Sequence, residues 1–473
     1  MNLQIKIPTD VKFILNTLNK NNYKAYIVGG SVRDSILNRP VHDWDITTSA
    51  TPEQVMEVFK NEQIIPTGLQ HGTVTIMLNR IGYEVTTFRI DGNYSDGRRP
   101  DSVKFTDDIV KDLSRRDFTI NAIAYNDEVG LVDPFNGMED LKNHIMRCVG
   151  NPKERFSEDI LRTLRLWRFC IQLGFYPNNS TSNAAKEILE MGLLKTVSYE
   201  RIQTEFIKAI QGDKGVFITQ PDYFLESIIP EWKDMNFPQN NPYHIYNVRN
   251  HSLCAYDCLD DSADTITRIA TLLHDIGKPH CYQDGEDGIR HFKGHGKVSA
   301  DMTNDIMKRL RFDNDTREKV VELVYYHDAT FEVGTKYIKR WLNKIGEEQF
   351  RKLLKVRRAD IKAHNPIYEK ERLDKIDKIE ELLDKVLLEK ACFSLKDLAI
   401  NGNDIKETMQ IKEGKDIGYW LNEILNQVIN GELNNNKDEL VNWMIKMKKV
   451  INDSINIFLL LTNIDIYVIL SAN

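Results

Sequence analysis

The sequence has few cysteines, and they are scattered along the chain. Its 473 residues include six cysteines and no Cys-x-x-Cys pair. This spacing excludes the dense disulfide framework of small secreted proteins and the ligand pattern of a zinc knuckle. We therefore expect reduced thiols in a cytoplasmic chain.

An excess of positive charge is also missing. There are 63 lysines and arginines against 70 aspartates and glutamates, which gives a formal net charge of −7. A protein with this balance does not have a generally basic surface, so contact with nucleic acid has to come from local clusters of Lys and Arg.

The sequence offers little for a membrane. Residues 1–10 alternate polar and apolar and lack the apolar run of a signal peptide. The apolar stretch at residues 455–470 is short for a membrane span and is interrupted by Asn463 and Asp465. We expect no membrane association.

The local pattern changes near residue 140. The first part mixes short strands with helices, whereas the part after Lys142 is almost entirely helical, apart from the proline-containing segment Pro221–Pro242, which is interpreted as a linker. The length is too great for one compact domain. These features predict an α+β fold, with an N-terminal sheet domain followed by all-α domains.

Two aspartates carry the main chemical signal. Asp43 and Asp45 flank Trp44 in a segment that is interpreted as a strand over 43–47. Residues i and i+2 of a strand share a face, so the two carboxylates repel each other unless a cation neutralises them. Mg²⁺ prefers such oxygen ligands. Taken alone, the pair also fits a solvated strand edge.

A glycine pair precedes these aspartates. Gly29-Gly30 ends an apolar run and begins a predicted helix, whose free N–H groups suit a phosphate, and Arg33 adds positive charge. Glu84, on a predicted strand over 83–89 that follows a turn through Gly82, is the candidate third carboxylate. An exposed strand position without a catalytic role fits Glu84 equally well.

Several long motifs resemble one enzyme family, and together they cover almost the whole chain. They are GGSVRD with DWD, the segment Glu84–Phe105, RRDFTINA at residues 115–122, DPFNG at 133–137, RFSEDILRTLRLWRF at 155–169 and YERIQTEFIK at 199–208. They resemble the bacterial tRNA nucleotidyltransferases, or CCA-adding enzymes, and the bacterial poly(A) polymerases of the DNA polymerase β superfamily. The resemblance implies a polymerase-β-like nucleotidyltransferase sheet domain.

The resemblance gives roles to a pair in RRDFTINA. Arg116 is expected to contact the triphosphate, and Asp117 to accept a hydrogen bond from a ribose 2′-OH. A structural Arg–Asp surface pair is the alternative.

The segment 155–169 is similar to the family's nucleobase-selecting helix. Asp159 and Arg162 lie at i and i+3, so on a helix they share a face. Aspartate accepts and arginine donates, which matches the donor and ring-nitrogen acceptor that cytosine and adenine share and uracil and guanine lack. Arg165 and Arg168 continue the spacing toward phosphates. The alternative is an intrahelical salt-bridge ladder.

The resemblance implies addition of CCA to the 3′ end of tRNA from CTP and ATP, with Mg²⁺ as cofactor and pyrophosphate as the leaving group. In the resembling enzymes a loop corresponding to Asp91–Pro100 is associated with the switch to adding A, and its presence here argues against an enzyme that adds only C. Poly(A) polymerisation or A addition alone is the near alternative.

A second motif lies among seven histidines between His244 and His327. His274-Asp275, with the distant His251 and Asp360, resembles the ligand set of an HD phosphohydrolase domain, and His295 and His327 are candidates for a second metal or a phosphate contact. The substrate expected is a phosphomonoester or a 2′,3′-cyclic phosphate at an RNA end. The alternatives are a degenerate domain kept for structure, or a hydrolase whose head domain only binds RNA.

The expected domains are the nucleotidyltransferase head at 1–140, a helical neck at 141–240, the HD domain at 241–362 and a tRNA-contacting helical region at 363–473. Lys437, Lys446, Lys448 and Lys449 give this last region some positive charge, although solvated helix faces account for them as well.

Overall fold

The computed structural model describes residues 4–92, 94, 97, 100–389, 391–411 and 414–451. The apolar stretch at 455–470 and part of the Asp91–Pro100 loop, including Arg98 and Arg99, lie outside the described residues. Among the described helices, none is long and apolar enough to cross a membrane.

A seven-stranded sheet forms the N-terminal part of the molecule. In order across the sheet its strands are β3 (Gln63–Gly68), β4 (Thr73–Leu78), β5 (Ile81–Thr87), β2 (Ile46–Thr48), β1 (Ala25–Val28), β8 (Ala124–Asn126) and β9 (Gly130–Val132). All neighbours pair antiparallel except β2 and β5, which are parallel with Ile46 opposite Val85. This one parallel pair places Asp45, the residue just before β2, level with Glu84 inside β5.

Five helices accompany the sheet: α1 (Thr9–Lys20), α2 (Gly30–Ile36), α3 (Pro52–Val58), α4 (Ile109–Ser114) and α5 (Gly137–Lys142). Helix α3 begins as its sequence predicts, because the Thr51 side chain accepts from the Gln54 amide in a capping box and Pro52 takes the first helical position. A separate two-stranded sheet, β6 (Arg89–Asp91) with β7 (Val103–Phe105), brackets the loop between them.

The turn between β4 and β5 differs from the prediction. The reversal uses Asn79 and Arg80, both with positive φ, and Gly82 lies inside β5 opposite Met77. Two consecutive residues in the left-handed region give a hairpin turn whose twist matches that of the strands. Asn79 and Arg80 therefore form the turn that was expected at Gly82.

Helices dominate after the sheet domain. They are α6 (Pro152–Glu158), α7 (Leu161–Leu173), α8 (Asn179–Glu190), α9 (Tyr199–Ile210), α10 (Lys214–Ile218), α11 (Asp222–Ile228), α12 (Val248–Asp257), α13 (Thr265–Leu273), α14 (His295–Arg309), α15 (Asn314–Tyr326), α16 (Thr335–Lys362), α17 (Glu369–Leu388), α18 (Gly402–Met409) and α19 (Gly414–Ile429), followed by helical residues 437–451. Two strand pairs of two residues each interrupt them, β10 (Ile145–Met146) with β11 (Tyr176–Pro177) and β12 (Gln283–Asp284) with β13 (Arg290–His291). Short 3-10 helices occur at Leu69–His71, Thr119–Asn121, Leu193–Thr196, Pro230–Met235, Lys278–His280, Pro366–Tyr368 and Leu395–Asp397.

The segment 221–242 is not the linker that its prolines suggested. It contains α11 and the 3-10 helix at 230–235, and Phe224 and Trp232 are fully buried. The two prolines at 221 and 230 mark helix starts, where a missing N–H costs nothing.

One continuous apolar cluster runs from Ile5 to Val386, and a second gathers residues 392–444. The first cluster joins the neck helices to the helices that follow. Phe217 packs on Tyr256 with ring centroids 4.7 Å apart, and the buried Arg268 donates to the carbonyls of Ile210 at 2.8 Å and Gly212 at 3.1 Å. The Arg268 guanidinium thus donates to free carbonyl groups at the C-terminal end of α9, which would otherwise bind water.

Candidate active sites

Three carboxylates meet at the edge of the large sheet. Asp43 and Asp45 precede β2, which begins at Ile46, so the strand predicted over 43–47 starts later than expected. The Asp45 carbonyl still accepts from the Val28 amide at 3.0 Å. Because Ile46 is level with Val85, Asp45 comes beside Glu84, and all three carboxylates line one cavity of about 590 Å³. The parallel pairing, rather than strand alternation, brings them together.

The electrostatics of this cavity favour a cation. Burial raises the pKa of Asp45, Arg116 lowers it, and the charges of Glu84 and Asp43 raise it further. Among the described residues, no Lys or Arg lies within 4 Å of any of the three carboxylates. Like charges with oxygen donors and no protein counter-ion are the setting in which a hard divalent cation binds.

The glycine pair directly follows Val28, whose amide donates to the Asp45 carbonyl. Gly29 has φ +73° and ψ −128°, and α2 begins at Gly30, as the sequence predicts. A Cβ on Gly29 would lie 2.8 Å from Nη1 of Arg116. The turn therefore needs glycine both for its backbone conformation and for the close approach of that guanidinium.

Arg33 is buried and already has partners. Its Nε and Nη2 donate to Asp34 at 2.9 and 2.8 Å, and its Nη1 donates to Asn121 Oδ1 at 2.7 Å. The same Asn121 donates through Nδ2 to Asp117 at 3.1 Å. Arg33 thus ties the glycine turn to the RRDFTINA segment, and its phosphate contact stays a prediction.

Asp117 lies at the centre of a hydrogen-bond network. It accepts from Arg165 at 2.6 and 2.9 Å and from the Phe118 amide at 2.9 Å. Burial alone would raise the pKa of Asp117, but the charge of Arg165 and the Asn121 hydrogen bond hold it well below its usual range. The carboxylate is therefore ionised near neutral pH, and in this form both oxygens only accept hydrogen bonds.

The helix predicted to carry both Asp159 and Arg162 is broken between them. α6 ends at Glu158, Asp159 has φ −147° and ψ 103°, and α7 begins at Leu161. The Asp159 carboxylate accepts from the Leu161 amide at 3.2 Å and from Arg201 at 2.8 Å. A short acidic side chain satisfies the free N–H groups of a new helix, which explains the break.

Arg162 pairs with a neighbour other than Asp159. Its Nη1 donates to Glu158 at 2.6 Å, and its Nη2 donates to the Arg115 carbonyl at 3.2 Å. The spacing argument for one helix face was therefore wrong, although both side chains lie at the same helix junction. Glu158 and Arg201 are the partners that the sequence reasoning missed, despite standing inside the quoted motifs.

Arg168 packs between helices. Its Nε donates to Glu205 of α9 at 2.6 Å, both side chains are under a tenth exposed, and its guanidinium lies 3.6 Å from the centre of the Phe169 ring. This pair holds α7, which carries Arg162 and Arg165, against α9. A phosphate contact by Arg168 remains a prediction.

The second cluster gathers side chains from five helices or their ends. His251 Nε2 lies 3.0 Å from Asp360 Oδ1 and 3.3 Å from His274 Nε2. Asp275 lies between two histidine pairs: its Oδ2 is 3.1 Å from His274 Nε2, and its Oδ1 is 3.3 and 3.4 Å from Nε2 of His295 and His327. The six side chains predicted from the sequence are thus together.

The histidine tautomers suit metal ligation. Nδ1 of His251, His274, His295 and His327 lies within hydrogen-bond distance of a backbone carbonyl, those of Ala363, Thr271, Phe292 and Val324. A carbonyl only accepts, so each Nδ1 carries a proton, and Nε2 is the ring nitrogen that faces the cluster centre, where it can bind a metal once it is deprotonated. Both oxygens of Asp275 are buried: Oδ2 pairs with the Lys278 ammonium at 2.7 Å, and Oδ1 faces Nε2 of His295 and His327. His274 and Lys278 hold the pKa of Asp275 well below its usual range, although burial opposes this.

Two further histidines join this cluster without having been predicted. His244 and His364 lie beside His251, with ring centroids 4.9 and 5.1 Å from it. Burial and neighbouring positive groups lower the pKa of both, to about 4 for His364, so both are neutral near pH 7. Neither histidine belongs to the ligand motif of HD domains, and a single sequence does not show that they pack beside His251.

Comparison with known proteins decides the family. Residues 25–147 match the family described as the poly A polymerase head domain, and residues 284–444 match a putative second domain of tRNA nucleotidyltransferases. The CCA-adding enzyme of Geobacillus sp. (strain WCH70) is 33% identical over 453 residues, which cover 91% of this chain and 95% of that protein. The chain belongs to the CCA-adding enzyme family.

Other CCA-adding enzymes agree. That of Lactobacillus helveticus is 53% identical over 195 residues, an alignment that spans 41% of this chain and 48% of that protein. The crystal structure of the Bacillus stearothermophilus CCA-adding enzyme in complex with CTP superposes with a TM-score of 0.69 at 26% identity, covering 94% of this chain and 98% of that one. The family and the architecture predicted from the sequence, a sheet domain followed by helical regions, are confirmed.

Proposed function

We propose that this CCA-adding enzyme completes the 3′ end of tRNA by adding C, C and A from CTP and ATP in the cytoplasm. The observation that carries the proposal is the convergence of Asp43, Asp45 and Glu84 on one cavity, next to the strand that leads into the Gly29-Gly30 turn. The family uses a divalent metal, and we assign Mg²⁺ because hard carboxylate oxygens are its preferred ligands.

The metal, held by Asp43 and Asp45, supplies Lewis-acid polarisation of the α-phosphate when bound. Glu84, level with Asp45 across the parallel pair, is the group that accepts or directs the proton of the attacking 3′-hydroxyl. Arg116 and the amides of the Gly29-Gly30 turn hold the triphosphate, and Asp117 accepts from the ribose 2′-OH. Pyrophosphate then leaves in line with the attack.

The nucleobase is read at the junction between α6 and α7. The pairs Asp159–Arg201, at 2.8 Å, and Arg162–Glu158, at 2.6 Å, position an acceptor and a donor there. A base that offers a donor beside an acceptor satisfies both, which selects cytosine and adenine. Arg165 supports Asp117 from α7.

Single-nucleotide incorporation tests this function. tRNA transcripts that end before, within and after CCA are incubated with each triphosphate alone and with CTP and ATP together. We expect C on the first substrates, A only after two Cs, and no addition beyond A. A long A tract on unrelated RNA without C incorporation would contradict the proposal and favour a poly(A) polymerase.

Isosteric variants test the assigned residues. Asp43→Asn and Asp45→Asn keep the shape of the cavity and remove charge, so we expect incorporation to fall by at least about a hundredfold. Asp107→Asn, which changes an exposed carboxylate outside the cavity, is the matched control. Equal activity of all three variants would overturn the assignment.

We propose a second activity for the histidine cluster, a metal-dependent phosphohydrolase acting on a phosphomonoester or 2′,3′-cyclic phosphate at an RNA end. The supporting observation is the set of Nε2 and carboxylate atoms that face one centre, with His251, His274, Asp275 and Asp360 as the primary ligands and His295 and His327 beside them. We expect His274→Ala to abolish metal-dependent phosphate release while leaving CCA addition intact, and Asp43→Asn to do the reverse. Release that survives His274→Ala would contradict this assignment.

The same assignments divide the chain into a head at 1–140, a neck at 141–240, an HD domain at 241–362 and a C-terminal region at 363–473 that contacts tRNA.

A further inference from the structure

The histidine cluster opens into a cavity of about 340 Å³ whose lining has two chemically different parts. One part is the set of predicted metal ligands, Asp275, His295, His327 and Asp360. The other part is cationic and aromatic, with Lys278, Lys293, Arg357, Arg372 and Tyr243. A volume near the lower end of small-molecule sites fits a single nucleotide and excludes a folded polynucleotide.

Two of the four cationic side chains in this cavity are available to pair with an anionic ligand. Lys278 and Arg357 are paired with Asp275 at 2.7 Å and Asp360 at 3.0 Å. For Lys293 and Arg372, in contrast, the described residues provide no carboxylate within salt-bridge distance. Two cations at the mouth of a cavity, without a carboxylate partner in the described part of the chain, favour an anionic group such as the phosphate of the expected substrate.

The aromatic part consists of neighbouring flat groups, with the Tyr243 and Tyr368 rings tilted by 54° to each other. The Arg372 guanidinium lies 5.0 Å from the centre of the Tyr243 ring, and Tyr368 packs on Tyr243 with centroids 4.7 Å apart. Tyr243 and Arg372 line the cavity, whereas Tyr368 supports them without lining it. Flat guanidinium and aromatic groups are the surfaces on which proteins stack unpaired nucleobases.

Backbone contacts fix these flat groups relative to the metal ligands. The Asn365 amide donates to the Tyr243 carbonyl at 2.8 Å, and the Asn365 side chain donates to the Pro242 carbonyl at 3.1 Å. Asn365 follows the ligand Asp360 by five residues, near the end of α16. These contacts tie the backbone of Tyr243 to the segment that follows Asp360, as a site that holds a phosphate and a base at a fixed separation requires.

We propose that Tyr243 and Arg372 form a nucleobase-stacking platform, so that this cavity takes a nucleoside monophosphate, free or at an RNA end, rather than any small phosphate ester. The proposal rests on the phosphohydrolase function assigned above, because the phosphate is placed at that metal site. Base stacking of this kind tolerates different bases, so the platform confers a preference for nucleotides over abasic phosphates without selecting one base.

Binding, measured by calorimetry in the presence of Mn²⁺, tests the platform independently of hydrolysis. The full-length protein carries Arg162→Ala throughout, which disables the proposed nucleobase site at the junction between α6 and α7. The ligands are AMP, a short RNA with a 3′-phosphate, and ribose 5-phosphate, which keeps the phosphate and lacks the base. The variants are Tyr243→Ala, Tyr243→Phe and the control Tyr246→Ala, an exposed tyrosine that does not line the cavity.

We expect Tyr243→Ala to weaken AMP or RNA-end binding at least about fivefold, and to leave ribose 5-phosphate binding unchanged. Tyr243→Phe, which keeps the ring, should bind AMP as the parent does. Two results would overturn the platform: equal AMP affinities for the Tyr243→Ala and Tyr246→Ala proteins, or an equal loss for AMP and ribose 5-phosphate. If AMP binds as expected but no phosphate is released, the hydrolase assignment fails and the platform stands.

Discussion

Replacing Gly29 by alanine tests how the glycine turn acts on catalysis. The backbone at Gly29, with φ +73° and ψ −128°, lies in a region that only glycine adopts readily. An L-residue held there costs roughly 1–3 kcal/mol of folding stability. The added Cβ would also stand 2.8 Å from Arg116 Nη1, whereas an ordinary contact begins at 3.4 Å.

The second effect reaches the active site. The contact atom, Nη1, is at the end of the flexible Arg116 side chain. We therefore expect the guanidinium to move by about 0.6 Å, the difference between the two distances above. Arg116 also influences Asp45 electrostatically and is the proposed triphosphate contact. Since a misplacement of about 1 Å can cost about a hundredfold in rate, we expect kcat/KM for CTP incorporation to fall between about tenfold and a hundredfold.

A second glycine separates strain from contact. Gly174, at the C-terminal end of α7, has φ +69°, and no heavy atom of the described chain lies within 4 Å of the position that an added Cβ would take. Gly174→Ala should therefore lower the melting temperature by a similar amount with incorporation unchanged. The assays are thermal unfolding and steady-state CTP incorporation on a tRNA transcript. Wild-type kcat/KM in the Gly29→Ala protein, or an equal loss in Gly174→Ala, would refute the role given to the Arg116 contact.

Three further predictions concern the buried network. Glu205→Gln removes the charge that pairs with the buried Arg168 between α7 and α9, which costs about 1–3 kcal/mol, so amide hydrogen exchange of residues 161–173 should accelerate at least about fivefold; unchanged exchange would contradict a stabilising pair. Arg201→Ala removes the ion pair that positions Asp159, so we expect UTP and GTP incorporation to rise relative to CTP in single-nucleotide assays. A uniform loss for all four triphosphates would show that Arg201 does not position the side chains that contact the base. The lowered pKa of Asp117 means that its ionised form stabilises the fold above its unfolded pKa of about 3.9, and that this contribution is lost as the pH falls through the lower folded pKa. The stability gap between wild type and Asp117→Asn in urea titrations should therefore be full at pH 7 and shrink below about pH 4; a gap independent of pH would contradict this.

Much of the architecture could be predicted from the sequence because its signals are local. Helix α9 has the predicted bounds, Tyr199–Ile210, since its apolar spacing is continuous, and α3 follows from its cap residues. The position of Glu84 could not be predicted with the same force. It depends on the parallel pairing of β2 with β5, a contact between distant segments.

The break at Asp159 was hidden for a different reason. Residues 155–169 contain neither glycine nor proline, and their apolar periodicity continues through the junction. The chain leaves the helix there because Asp159 gains a helix-capping contact and an ion pair with Arg201, 42 residues away. The local preference for a continuous helix is overridden by the tertiary contact between Asp159 and Arg201, which a single sequence does not reveal.

The packing of Phe217 on Tyr256, and the donation of Arg268 to the end of α9, have a practical consequence for dissecting this enzyme. If the chain were divided near residue 240, the Ile210 and Gly212 carbonyls would lose their donor, Arg268. The Phe217 side chain would also become exposed to water. Each buried group left unpaired costs about 1–3 kcal/mol, so the two fragments are expected to be insoluble or to need each other. The two proposed activities are therefore better separated by point substitution than by truncation, and any exchange of helices between relatives should keep α9, α10, α12 and α13 together.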